Sequence, residues 1–142
     1  MTSIHKVYEA FLAKMLEDEW LHWTQEEVEA DWRQLLNSAI PQFKFPRVSL
    51  EIDECDNFYD DLGIEEIQIL ATFMKCEWLN REILTWENIK PLYVERDFSQ
   101  ANLIDKYTKL LKEEKANAVK LENIYYRAIQ HQPFDYTKLA GE

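Results

Sequence analysis

Two glycines and four prolines in 142 residues leave this chain few places to turn sharply. Strand-rich folds need many tight turns, which draw on glycine and proline, so the scarcity favours helices. The glycines, Gly63 and Gly141, form no phosphate-cradling loop. The two cysteines, Cys55 and Cys76, make neither a CxxC pair nor a disulfide framework, and a reducing compartment suits them. Basic residues are short as well: 16 Lys and Arg stand against 27 Asp and Glu, a net charge of −11. Phosphate-driven nucleic-acid binding needs basic patches, so the balance argues against it. No run approaches the roughly 20 apolar residues of a bilayer span. The start, MTSIHKVYEAF, has neither the charged nor the long apolar region of a secretory signal.

Chemistry-bearing residues are equally sparse. The histidines are His5, His22 and His131, with no ligand spacing among them and no ExxH following any. The acidic run DECDNFYDD, residues 53–61, lacks the glycine and ligand alternation of a calcium loop and reads as a solvated loop. Cys76 falls in an apolar helix and reads as inert core. No catalytic residue, metal or cofactor is expected, and the chain does not read as an enzyme.

What is abundant is apolar and aromatic mass. Hydrophobic residues make up 46% and aromatics 13%, with five tryptophans, enough to offset the entropy of ordering one domain. Aromatics are also enriched at interfaces, and five tryptophans exceed what so small a core requires. Charge is uneven: −8 over residues 1–60, −4 over 61–98 and +1 over 99–142. Lys106, Lys109, Lys112 and Lys120 gather on the outer side of the last helix, as an ordinary solvated face.

The spacing of Ile4, Val7, Tyr8, Phe11, Leu12 and Met15 predicts a helix ending near Asp18. Thr24 with Glu27 makes a capping box for a second helix, striped by Val28, Trp32, Leu35, Leu36 and Ala39 and stopped at Pro41. A short aromatic link carries Trp20 and Trp23 between them. Residues 42–60 alternate as Phe43, Phe45, Val48, Leu50 and Ile52 around Pro46, predicting one or two short extended pieces and then the acidic loop. A helix over about 64–84 carries two apolar stripes: Ile67, Leu70, Ala71, Met74 and Trp78, and opposite them Ile69, Phe73, Cys76, Leu79 and Ile83. Both sides are therefore buried, one in the core, the other in more core or in a neighbour. Thr85 is expected to cap a short helix reaching Tyr93, and Ser99 the longest helix, about 99–130. Glu114 and Asn117 interrupt the long helix's stripe, so it either leaves the core midway or meets a polar partner. After His131 the periodicity stops. The expected class is mainly α: a small helical bundle, residues 1–130, with a loop insertion at 42–60, one long C-terminal helix, and an extended tail over 131–142.

The runs IEEIQILATFMKCEWLNREI, FSQANLIDKYTKLLKEE and LENIYYR, with AIPQFKFPRVSL before them, resemble the head–tail connector, or neck adaptor, proteins of tailed bacteriophages. The likeness covers about residues 36–130 and lies in the order and flavour of the helices. It implies a structural virion protein of the particle neck, passing through the host cytoplasm during assembly. Sister copies would form a ring, a dodecamer if it matches the portal, between the portal protein and the next neck or tail protein. DNA would pass through the lumen without specific binding, and no membrane would be involved. The tail would dock into the portal through Pro133, Phe134, Tyr136 and Leu139. Trp20, Trp23, Phe43, Phe45 and Trp86 are the expected inter-subunit contacts. The alternative from another class is an acidic helical phage regulatory protein that binds a host enzyme.

Overall fold

A computed structural model describes residues 1–15, 20–89 and 98–131. Helix α1 spans Ile4–Ala13, α2 Gln25–Ala39, α3 Ile64–Ile89 and α4 Phe98–His131, with a 3-10 turn at Ile40–Gln42. A two-stranded antiparallel sheet pairs β1, Thr2–Ser3, with β2, Asn57–Phe58. The fold is mainly helical, the class that the scarcity of glycine favours.

Helix starts follow local chemistry. Ser3 caps α1 by accepting the His5 N–H, and Thr24 caps α2 by accepting the Glu27 N–H at 3.2 Å. Pro41 lies within the 3-10 turn that ends α2. Helix α1 stops at Ala13, before the acidic residues expected to close it; Asp18 lies outside the described residues.

Helix α3, about 39 Å long, is the hub that α1, α2 and α4 all pack against. Its two stripes are both the chain's own core: Leu70, Ala71, Met74 and Trp78 are buried, and so are Ile69, Phe73, Cys76 and Leu79. Antiparallel α4 follows α3, with Glu66 bonded to Tyr125 and Lys75 to Glu114. Glu114 thus meets its polar partner inside the molecule, across the helix pair, while Asn117 faces solvent.

Two expectations about the elements are corrected. Thr85 starts no helix: its Oγ1 donates to the Arg81 carbonyl at 2.8 Å within an unbroken α3, the back-bonding that lets threonine sit inside a helix. Tyr93 lies outside the described residues, as does the tail from 132 onward. Val48, Leu50 and Ile52 turn partly inward, as their alternation implied, yet only Ile52 makes a bridge, to Phe58. The ladder forms instead between the chain start and the acidic run.

That acidic run is folded rather than merely solvated. Asp53 Oδ1 accepts the N–H groups of Cys55 (2.8 Å) and Asn57 (2.9 Å), and Asp56 adopts a left-handed φ of 61°. Aspartate tolerates that region because its side chain can bond locally. The Asp56 carbonyl then accepts the Ile4 N–H, closing the first turn of α1. Asp60 accepts the Ser49 N–H, and the Met1 amino group pairs with Asp61, holding that carboxyl below its usual range.

Candidate interaction surfaces

Rings at edge-on or tilted angles run through the molecule: Tyr8 to Trp32, Trp32 to Trp20, Trp20 to Trp78, Trp78 to Tyr107, with centroids 5.4 to 6.4 Å apart. This chain joins all four helices through the α1–α2 link and accounts for most of the aromatic excess. Trp20 is buried; its Nε1 donates to Asp31 Oδ2 at 2.8 Å, and Asp31 also takes both Arg81 Nη atoms. Phe43, 3% exposed, packs on the Tyr125 ring, and Trp86 is buried too. Trp20, Phe43 and Trp86, expected to meet sister copies, are therefore buried in the chain itself, Trp20 and Phe43 within its core cluster. Trp23 is exposed by 37% and Phe45 by 71%, and both remain available. Pro133, Phe134, Tyr136 and Leu139 lie outside the described residues.

Phe45 is the best built of the exposed aromatics. Its backbone N–H donates to the Tyr126 hydroxyl at 3.2 Å, and the two rings sit 6.1 Å apart. Two residues on, the Arg47 N–H donates to the Tyr125 hydroxyl at 2.8 Å, and its guanidinium lies 4.3 Å over the Tyr125 ring. The Tyr125 hydroxyl in turn donates to buried Glu66 Oε2 at 2.8 Å, while Glu66 Oε1 accepts the Gly63 N–H at 2.7 Å. A Cβ on residue 63 would stand 3.1 Å from that same oxygen, so the close approach suits glycine. Tyr126 donates to Glu122, and burial followed by this bond pushes its hydroxyl up to about 12. Burial likewise raises Tyr125. Two tyrosines near the end of α4 thus clamp the 43–47 loop, and Phe45 projects from a fixed backbone. Ile64, 80% exposed, opens α3 on the same side, across a groove of about 400 Å³ that it shares with Arg47 and Val48. Sequence reasoning took Tyr125 for stripe and missed Arg47, Glu66 and Tyr126; the adjacent tyrosines in LENIYYR were the signal, since a buried hydroxyl needs a partner.

At the other side of α1, Ser3 Oγ lies 3.1 Å from His5 Nδ1, and His5 Nε2 3.2 Å from Glu29 Oε1. A Ser–His–carboxylate series invites a hydrolytic reading. Here the serine oxygen is the α1 cap, and His5 and Glu29 are both exposed to water. The series serves to tie α1 to α2. Beneath it, the buried Tyr8 hydroxyl and Arg33 Nε have no hydrogen-bond partner among the described residues, and burial drives the Tyr8 hydroxyl up to about 12. Cys76 is buried and raised to about 11 by desolvation, which leaves it a thiol at neutral pH; Cys55 is exposed. Among the described residues no cluster of His, Cys, Asp or Glu could hold a metal, and no helix is long and apolar enough to cross a membrane.

No protein-family model, curated protein or solved structure matches the chain.

Proposed function

We propose that the protein is a structural subunit of a tailed-phage neck: a connector that rings up with sister copies between the portal and the tail, around the path of the DNA. A ring is a heterologous, closing assembly, so each subunit must offer two different surfaces. The observation that carries the reading is the exposure of apolar groups on separate elements: Phe45, on its clamped backbone, with Ile64, and Leu21 and Trp23 in the α1–α2 link. The resemblance in helix order points the same way. Apart from Ile64 at its start, helix α3 spends most of its two apolar stripes inside the chain. No catalytic step belongs to this reading.

Quantification of the chain in purified virions tests it. A connector is retained in mature, nuclease-treated particles in proportion to the portal and co-purifies with portal protein. Its absence from particles, with a soluble host enzyme captured instead, favours the acidic regulator.

A further inference from the structure

The outer side of α4 is basic in a molecule that is otherwise acidic. Between Asn102 and Arg127 its exposed charged residues are Lys106, Lys109, Lys112, Lys115, Lys120 and Arg127, against Asp105 and Glu113 alone. None of the six cations is ion-paired with another described residue. The stripe also exposes Val119 by 54% and Ile124 by 49%. With a net charge of −11, acids to neutralise these lysines are plentiful, yet among the described residues none is paired with them.

Seven of the 27 acids fall in residues 51–65, the segment that runs through β2 to the start of α3. Residues 51–65 contain no Lys or Arg, and Glu51, Glu54, Asp56, Asp60, Asp61 and Glu65 are all exposed. Arg33, the Met1 amino group and Arg47 offset Asp56, Asp61 and Glu65, leaving the patch negative. It too carries apolar groups, Tyr59 at 54% and Ile64 at 80%. The segment is held by the Asp53 turn and the β1–β2 pairing, so the charges have fixed positions. One surface is basic with aliphatic anchors; the other is acidic with an aromatic and an aliphatic anchor.

We infer that the basic outer face of α4 docks onto the acidic 51–65 surface of a second copy of this chain, head to tail. The surfaces differ and are complementary, which is the condition for a heterologous contact that repeats. Charge would set register and approach rate, and the apolar groups would hold the contact once water is expelled. The inference rests on the ring reading and adds a charged pair of surfaces, with Ile64 on the acidic one, to the exposed apolar groups already named.

Reciprocal charge reversal of the full chain, followed by sedimentation velocity, tests it. One variant is K109E/K112E/K120E; the other is E51K/E54K, which spares the Asp53 turn and the paired acids. The wild type self-associates at high micromolar concentration, about tenfold more weakly at high salt, since screening shortens the reach of exposed charges. Each variant alone is monomeric, because the attraction between its two surfaces is lost. An equimolar mixture associates again, the acidic α4 of one variant meeting the two introduced lysines of the other. Circular dichroism confirms folding, and K109Q/K112Q/K120Q replaces the first variant if reversal unfolds it. A wild type that stays monomeric, variants that associate as it does, or a mixture that fails to recover overturns the inference. So does a lysine variant that loses only duplex DNA binding, which assigns the face to nucleic acid. A chain found in particles whose charge variants still assemble would sink this contact and leave the connector reading standing; charge-dependent oligomers absent from particles would do the reverse.

Discussion

At the scale of single residues, the tyrosine clamp makes the sharpest stability prediction. Removing the Tyr125 hydroxyl takes away the donor to buried Glu66 and the acceptor of the Arg47 N–H at once. Tyr125→Phe should cost about 1–3 kcal/mol in urea unfolding, because a buried carboxylate loses a partner. A cost near zero would mean that water replaces the bond freely. The cysteines separate by burial: in the native protein Cys55 should react with a disulfide reagent at once, and Cys76 only on unfolding. Burial raises Cys76 from 9.0 to about 11 and Tyr8 from 10.0 to about 12. The unfolded chain gives up these protons at lower pH than the folded one. Their contribution to stability is therefore intact below about pH 9 and falls between about pH 9 and 12. Cys76→Ala, followed by alkaline titration of the unfolding free energy, should flatten the first part of that fall.

At the scale of elements, apolar periodicity located all four helices, because α1, α2 and α4 each turn one face to α3, which is itself apolar on two sides. The stripe of α1, the capped start of α2 and the two-sided burial of α3 were legible, since they depend on spacing alone. What was not legible depends on partners far away in sequence. Nothing local says that Thr85 will bond back to Arg81 instead of capping, or that residues 2–3 will pair with 57–58. The midpoint of α4 shows the same limit: Glu114 looks like a break in the stripe until Lys75 is seen opposite, both side chains mostly buried. Leaving one member without the other is costly, whereas replacing both with apolar groups is often neutral. Glu114→Ala should therefore destabilise by about 1–3 kcal/mol, while Lys75→Met with Glu114→Leu should restore most of the loss. Additive losses in that double variant would deny the pairing.

At the scale of the whole molecule, the candidate contacts were only half legible. The sequence offered five aromatic residues for sister copies, and the fold claims Trp20, Phe43 and Trp86 for itself while leaving Trp23 and Phe45 outside. Residue type cannot tell a core tryptophan from a contact one; only the α1–α2 link folding inward decides it. The charge division was visible as totals along the chain, but its meaning comes from α4 turning its apolar stripe to α3 and its lysines to water. The domain keeps its core to itself and offers neighbours a clamped aromatic, scattered aliphatics and two oppositely charged surfaces. On the proposed reading, those surfaces are occupied in an assembled phage neck. The most direct test of that reading is a count of this 17.1 kDa chain against the portal in purified, nuclease-treated particles. Retention in a fixed ratio near that of one ring to another is the predicted result; particles that contain the portal and none of this chain would contradict it.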